Sequence, residues 1–148
     1  MRIGVPKEIK PQENRIGLTP DSVKTLVSEG HEVLVENNGG FEAGFDNDQY
    51  KNAGAKIIEK ATDIFNDAEI IVKVKEPQKV EVEMIKENQI VYTYLHLAAA
   101  KELTEGLVKS KSINIAYETI TDDNGRLPLL APMSAVAGRM SVQAGAHC

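Results

Sequence analysis

Three unlike polar side chains, each placed just after a segment that reads as a buried strand, stand out in this sequence: Arg15, Lys75 and His96. The segments that precede them are Arg2–Pro6, Ala68–Val74 and Gln89–Leu95. Because an open α/β sheet binds its ligand outside the carboxyl ends of the strands, we expect these side chains to converge. A guanidinium, an ammonium and an imidazole suit a small anionic substrate with a carbonyl or amine to protonate.

Each of these residues also has an ordinary structural explanation. A lysine after a strand is usually solvated, a loop arginine often is, and a histidine beside leucines is more often packed or superficial. In favour of a function, Pro77 ends the strand and fixes the turn that follows Lys75. The other histidines, His31 and His147, have no comparable setting, and three histidines this far apart form no metal-ligand pattern. We therefore predict no metal site.

Another candidate region opens the last predicted helix, in the run Leu129-Leu130-Ala131-Pro132-Met133-Ser134. Met133 is by default a core residue, because methionine fills irregular gaps, and Ser134 fits an ordinary first turn. The N-terminus of a helix can also face a ligand or a nucleotide. No GxGxxG motif occurs in the sequence, which therefore carries no dinucleotide-binding fingerprint.

The composition restricts the class of protein. The 148 residues include 17 basic and 22 acidic side chains, for a net charge of −5, which gives no footprint for nucleic acid. The single cysteine, Cys148, excludes a disulfide or a thiolate metal site within one chain, and a reducing cytoplasm is the simplest expectation. The N-terminus lacks the apolar core of a signal peptide, and no apolar run approaches the ~20 residues that span a bilayer. We expect no membrane partner.

Apolar strands alternate with amphipathic helices along the chain, which predicts an α/β fold with a doubly wound, mainly parallel sheet and helices on both faces. The remaining predicted strands are Glu32–Glu36, Ala55–Ile58 and Ser112–Tyr117. Helices are predicted to begin at Thr19-Pro20-Asp21, with Thr19 as N-cap, and at Asp46, and to span Thr62–Asn66, Lys79–Glu87, Ala98–Ser110 and Pro132–His147.

Apolar spacing predicts which helical residues face inward. In the Lys79–Glu87 helix these are Val80, Val82 and Met84, and in the Ala98–Ser110 helix they are Leu103, Leu107 and Val108. The last helix is still in its apolar pattern where the sequence stops. We therefore expect one domain over residues 1–130 and, over residues 131–148, the start of a helix that leads to a further domain.

Around the candidate residues Arg15, Lys75 and His96 the sequence resembles the alanine dehydrogenase family, and the chain looks like the N-terminal portion of such a protein. The matching runs are Met1–Glu8, Glu13–Pro20, Val72–Pro77, Tyr92–Ala98 and Ala131–Met140. The sequence is also similar, in fold and in its N-terminal run, to a domain of proton-translocating nicotinamide nucleotide transhydrogenase. Lysine-forming saccharopine dehydrogenases are more distant relatives.

The resemblance implies NAD-dependent oxidative deamination of L-alanine to pyruvate and ammonia, and the reverse reaction. It implies that Arg15 binds the substrate carboxylate and that Lys75 contacts the carboxylate or the carbonyl oxygen. His96 would be the general acid/base, so that His96 and Lys75 are the catalytic residues. A cationic pair would orient the acid and stabilise charge on oxygen while the imidazole moves the proton.

The resemblance also assigns residues near the start of the last helix. Leu130 and Met133 would wall the substrate pocket, and Met133 and Ser134 would lie close to the nicotinamide. The family's glycine-rich NAD loop belongs to a second domain that is missing here, so residues 131–148 would begin the interdomain helix. We therefore expect this chain to be inactive alone, with NAD bound mainly by the missing domain, and we expect a homo-oligomer because relatives assemble.

Two other functions remain open. The chain could be a free-standing domain that binds small keto or amino acids, or that regulates a partner. It could also be a fragment of a transhydrogenase subunit, in which His96 would have no amino-acid chemistry to perform. Pyruvate binding that is lost in His96→Ala or Arg15→Ala would argue against a transhydrogenase fragment.

Overall fold

A computed structural model describes residues 1–148 and contains one six-stranded sheet in which all neighbouring strands are parallel. The strands are β1 (Arg2–Val5), β2 (Glu32–Glu36), β3 (Lys56–Ile58), β4 (Ile70–Val72), β5 (Ile90–Thr93) and β6 (Ile113–Ala116). They lie in the order β3-β2-β1-β4-β5-β6. The order of the strands reverses between β1 and β4, and α/β sheets bind ligands at such a switch point.

Six helices connect or follow the strands: α1 (Pro20–Ser28), α2 (Asn47–Asn52), α3 (Ala61–Asp67), α4 (Lys79–Val82), α5 (Lys101–Ser110) and α6 (Ala131–His147). The predicted start of α1 is confirmed, since the Thr19 hydroxyl accepts the Ser22 N–H and Pro20 lies in the first turn. Asp46 caps α2 through a reciprocal pair of hydrogen bonds with Gln49. None of the six helices combines the length and the apolar character that crossing a membrane requires.

Two clusters of buried apolar side chains lie on the two faces of the sheet. Along β2, Val33 and Val35 belong to the first cluster and Leu34 belongs to the second, as the two-residue period of a strand requires. Helices α1 and α2 contribute to the first cluster through Val23 and Tyr50, whereas α3 and α5 contribute Ile64, Phe65 and Leu107 to the second. The predicted doubly wound α/β fold is therefore confirmed.

The prediction for the helix after β4 is wrong in its length and in one inward residue. Helix α4 is a single turn, Lys79–Val82, and Val80 is 57% exposed, while Glu81 is only 2% exposed. Glu81 faces inward because its carboxylate bonds to the buried Lys73 ammonium. An ionic contact with Lys73, directly after β4, therefore overrides the apolar pattern on which the prediction rested.

The prediction for α5 is wrong at its start and at Val108. The chain forms a 3-10 turn at Leu97–Ala99, so α5 begins at Lys101 rather than at Ala98. Leu107 is buried, but Val108 is 73% exposed. Adjacent helical residues point about 100° apart, so only one of these two side chains can face the sheet.

Gly4 in β1 packs directly against α3 and offers a test of this core. A Cβ at this position would lie 2.5 Å from Ile64 Cγ2 and 2.8 Å from Ala68 Cβ. We predict that Gly4→Ala lowers the free energy of unfolding by about 1–3 kcal/mol, because overfilling a packed core forces displacement. Urea denaturation measures the change. Gly138→Ala in α6 is the matched control, since no atom lies within 4 Å of a Cβ there, and equal midpoints for both variants would contradict the packing.

Candidate active site

The loop between β1 and α1 presents Arg15 beside the end of β4. Ile16 is buried in the first core cluster and anchors the loop. A Cβ on Gly17 would lie 2.6 Å from the Val72 carbonyl oxygen, so the loop backbone lies against β4 only because residue 17 is glycine. The Arg15 side chain itself remains 52% exposed. The guanidinium is therefore held at the switch point of the sheet while staying accessible to a ligand.

One edge of the Arg15 guanidinium is paired with Glu13. Nε donates to Glu13 Oε1 at 2.8 Å, and Nη2 donates to Glu13 Oε2 at 2.7 Å. The other terminal nitrogen, Nη1, lies 3.5 Å from the sulfur of Met133, which is a weak acceptor. The Nη1–Nη2 edge therefore keeps donors for a second, two-oxygen acceptor such as a substrate carboxylate.

Two cations act on the pKa of the Glu13 carboxyl group. Hydrogen bonding to Arg15 is the main cause that lowers the pKa of Glu13 to about 2, against the opposing effect of burial, and the Lys75 ammonium lowers it further. The pairing with Glu13 also raises the pKa of Arg15. Arg15 and Lys75 thus both lower the pKa of one carboxylate, and the convergence of their side chains on a substrate stays a prediction.

The backbone of Lys75 is held from both adjacent strands. Its N–H donates to Glu8 Oε1 at 3.3 Å, and its carbonyl accepts the Thr93 hydroxyl at 2.9 Å. Thr93 is completely buried in β5, and Glu8 belongs to the loop after β1. The position of Lys75 therefore depends on the two strands that flank β4 as well as on β4 itself.

A buried ionic network that the sequence analysis missed lies beneath this loop. The ammonium of Lys73 is 3.0 Å from Glu8 Oε2 and 2.8 Å from Glu81 Oε1, and these side chains are only 0%, 1% and 2% exposed. The second oxygen of Glu8 accepts the Val74 N–H at 2.6 Å. Lys73 was the one available signal, because a charge inside the apolar run Ala68–Val74 indicates a buried partner.

Carboxyl groups outnumber ammonium groups in this network. Glu36 is near Lys73 and Glu81, and burial is the main cause that raises the pKa of Glu36. Burial likewise raises the pKa of Glu81, while Lys73 opposes that effect. The shared Lys73 ammonium is therefore what permits carboxylates to remain buried at this point.

His96 follows β5 and exposes its imidazole at the same edge of the sheet. Its backbone is left-handed, with φ 51° and ψ 37°. The ring makes no hydrogen bond within the chain and lies near Tyr94, with ring centroids 6.4 Å apart and planes inclined by 23°. The Tyr94 hydroxyl donates to the Leu129 carbonyl. Both imidazole nitrogens are therefore available to a ligand or to water.

A largely apolar cavity of about 730 Å³ opens beside Arg15. Its lining includes residues of β1, β4 and β5 together with Leu26 of α1. The aromatic and aliphatic side chains nearest to the candidate site in its lining are Tyr92, Tyr94, Tyr117, Leu129 and Met133. The cavity therefore joins the Arg15 guanidinium to the first turn of α6.

The first turn of α6 places its three candidate residues differently. Met133 is partly buried and lines the cavity beside Arg15. Leu130 is partly buried at the N-cap, where its carbonyl accepts the Ser134 hydroxyl at 3.4 Å. Ser134 is exposed, like every other residue of α6 except Met133. The structure thus brings Met133 to Arg15 and leaves Ser134 facing outward.

The connection between β1 and α1 does not fit the pyrophosphate of a dinucleotide. The first β–α connection of a dinucleotide fold normally offers free N–H groups at the start of its helix. Here that connection is the long loop carrying Arg15, Thr19 already caps the Ser22 N–H, and Pro20 lacks an N–H. A dinucleotide pyrophosphate therefore has no binding place at the start of α1.

Lys73→Met removes the ammonium that two buried carboxylates share. We predict a loss of about 3–5 kcal/mol in the free energy of unfolding at neutral pH, because breaking a buried pair leaves uncompensated charge. The loss should shrink in mild acid, where Glu81 becomes protonated because burial raises its pKa. Urea denaturation at both pH values measures it, with the exposed Lys79→Met as the control. A midpoint equal to that of the control would contradict the network.

Glu13→Gln tests the Arg15 pair through its pH dependence. Pairing with Arg15 lowers the pKa of Glu13 from the ordinary 4.5 to about 2. The carboxylate therefore stabilises the fold fully above pH 4.5, and this contribution is lost as the pH falls toward 2. The variant should therefore be less stable than the wild type at neutral pH and converge with it near pH 2. Denaturation curves across this range measure the difference, with the exposed Glu29→Gln as control. A difference that does not depend on pH would refute the pairing.

Comparison with known proteins identifies the family. Residues 4–137 match the family model described as "Alanine dehydrogenase/PNT, N-terminal domain". The chain is 53% identical over 147 residues to alanine dehydrogenases of Staphylococcus epidermidis and Halomonas elongata, covering 99% of this chain and 39% and 40% of theirs. It therefore spans about two fifths of the length of these curated relatives.

Solved structures give the same result. An L-alanine dehydrogenase is similar with a TM-score of 0.94 and 52% identity, over 99% of this chain and 40% of that one. A transhydrogenase from Sinorhizobium meliloti is similar with a TM-score of 0.78 and 25% identity, over 84% of this chain and 35% of that one. The chain belongs to the alanine dehydrogenase/PNT family and carries its N-terminal domain.

Proposed function

We propose that this chain is the substrate-binding part of an NAD-dependent L-alanine dehydrogenase, which interconverts L-alanine with pyruvate and ammonia. The free Nη1–Nη2 edge of Arg15, next to Met133 and in the field of Lys75, carries the proposal. A two-oxygen anion fits this edge, and His96 lies at the end of the neighbouring strand. The 53% identity to curated alanine dehydrogenases supports the choice of substrate.

Arg15 binds the carboxylate of the substrate and Glu13 keeps the guanidinium oriented for it. Lys75 supplies a second positive charge, which stabilises negative charge on the carboxylate or on the carbonyl oxygen. Because both cations sit on loops held by buried contacts, the substrate meets a site that is already oriented. Met133 lines the cavity beside Arg15, and we propose that Leu130 walls the bound substrate with it.

His96 acts as the general acid/base. Its imidazole has no hydrogen-bond partner in the chain, so it can take or give a proton at the oxygen or nitrogen on the reacting carbon. NAD supplies the hydride acceptor, and Met133 and Ser134 would face its nicotinamide. The β1–α1 connection does not fit its pyrophosphate, and we propose that a further domain holds that group.

We also propose a cytoplasmic homo-oligomer. The single cysteine is consistent with a reducing compartment. Helix α6 exposes Val136, Met140 and Val142, and apolar side chains grouped on one helix are commonly covered by another subunit or domain. The net charge of −5 favours no nucleic-acid partner.

A transhydrogenase-like role is the second candidate, because a transhydrogenase is a structural neighbour. Its 25% identity is well below the 53% found for alanine dehydrogenases. The proposed site also contains an acid/base residue, His96, and binding a nucleotide does not require such a residue. Saturable pyruvate binding separates the two candidates.

Calorimetric titration of pyruvate into this chain tests the substrate site. We expect saturable binding that weakens at least tenfold in Arg15→Ala, because charged hydrogen bonds contribute about 1.5–3 kcal/mol. Arg139→Ala on the exposed helix α6 is the matched control and should bind as the wild type does. His96→Ala should also weaken binding, by less than Arg15→Ala, since its ring contacts a neutral part of the ligand.

Two results would contradict the proposal. A well-folded chain that binds no pyruvate would show that the Arg15 edge is not a preformed carboxylate site. Alanine-dependent production of NADH by this polypeptide alone would show that residues 1–148 hold NAD, against the fit of the β1–α1 connection.

A further inference from the structure

The carboxylate of Glu118 binds the backbone next to the imidazole. Its Oε1 accepts the N–H of His96 at 2.7 Å and that of Leu95 at 3.0 Å, and its Oε2 accepts the Leu95 N–H at 3.2 Å. Glu118 lies in the 3-10 turn that directly follows β6. Because β6 pairs in parallel with β5, with Thr93 opposite Ala116, this turn lies beside the turn that ends in His96.

The backbone of His96 requires such a partner. A residue with a Cβ is strained at φ 51° and ψ 37°, and such strain persists only where the surroundings fix it. Consecutive N–H groups in a turn of this kind form a small concavity that binds an anion. The two N–H groups at Leu95 and His96 meet one half-buried carboxylate. The carboxylate therefore holds the left-handed conformation in place.

The direction of the His96 ring depends on this backbone. The ring is exposed and has no hydrogen bond of its own, and its contact with Tyr94 is a loose one, with centroids 6.4 Å apart. The direction of the Cα–Cβ bond, which the backbone conformation sets, therefore limits the region that the imidazole can reach. Relaxation to an extended or right-handed backbone would turn that bond away from the strand ends.

We propose that Glu118 is a positioning residue for His96, fixing the left-handed turn that points the imidazole at the substrate. Both carboxylate oxygens of Glu118 accept backbone N–H groups, so its proposed effect on the substrate passes through His96. The role of the imidazole rests on the proposed function, whereas the control of its direction is a property of this chain alone.

NMR spectroscopy of the His96 ring, with and without pyruvate, tests the inference on this chain. Glu118→Gln keeps the size of the side chain but removes its charge and sets an amide donor against two N–H groups. We expect the His96 ring resonances to move without ligand and the Leu95 and His96 amides to exchange at least tenfold faster. Pyruvate should no longer shift the ring resonances, while its calorimetric affinity changes by less than about threefold, because Arg15 is intact.

Glu102→Gln on the exposed first turn of α5 is the matched control and should leave all four observables at their wild-type values. If Glu118→Gln does not fold, Glu118→Asp keeps the charge, shortens its reach by one methylene, and should produce the same changes at smaller amplitude. Ring resonances and amide exchange equal to those of the control would overturn the inference, as would an unaltered pyruvate-induced shift. Absence of pyruvate binding in the wild type would contradict the proposed function instead, and the ligand-free spectra would still decide the role of Glu118.

Discussion

The carboxylate of Glu8 joins the two loops on which the candidate site depends. One of its oxygens accepts the N–H groups of Val74 and Lys75, and the other binds the buried ammonium of Lys73. A charge that loses such partners in the interior is strongly destabilising, so the loop after β1 cannot leave the end of β4. Arg15 and Lys75 therefore share one edge of the sheet because of a contact beneath them, without needing to touch each other.

At three places along this edge of the sheet, a carboxylate holds a residue of the candidate site in position. Glu8 fixes the backbone after β4, and Glu13 occupies one edge of Arg15 while leaving the other free. Glu118 binds the backbone at His96 and leaves the ring without a partner. An acidic chain can thus present cations at one local site. Its carboxylates bind one edge of the Arg15 guanidinium and the backbones of Lys75 and His96, which leaves the other donors accessible.

Much of this arrangement could be predicted from the sequence, because strand alternation, helix caps and the polar residues after each strand are local signals. The burial of Glu8 and Glu81 could not be predicted, since both carboxylates depend on Lys73, which follows β4 and lies 65 residues from Glu8 in the sequence. The contact between Lys73 and Glu81 also explains why Val80 faces solvent while Glu81, the next residue, is buried. The left-handed backbone of His96 also lacked a sequence signal, because it depends on the carboxylate of Glu118 in the turn that follows β6.

The most direct test of this account is a crystal structure of the chain with pyruvate. We predict that the carboxylate lies on the Nη1–Nη2 edge of Arg15, within reach of Lys75, with Glu13 still on the Nε–Nη2 edge and the carbonyl oxygen toward His96. Pyruvate bound away from Arg15, or bound in place of Glu13, would contradict the claim that the chain holds a preformed carboxylate site.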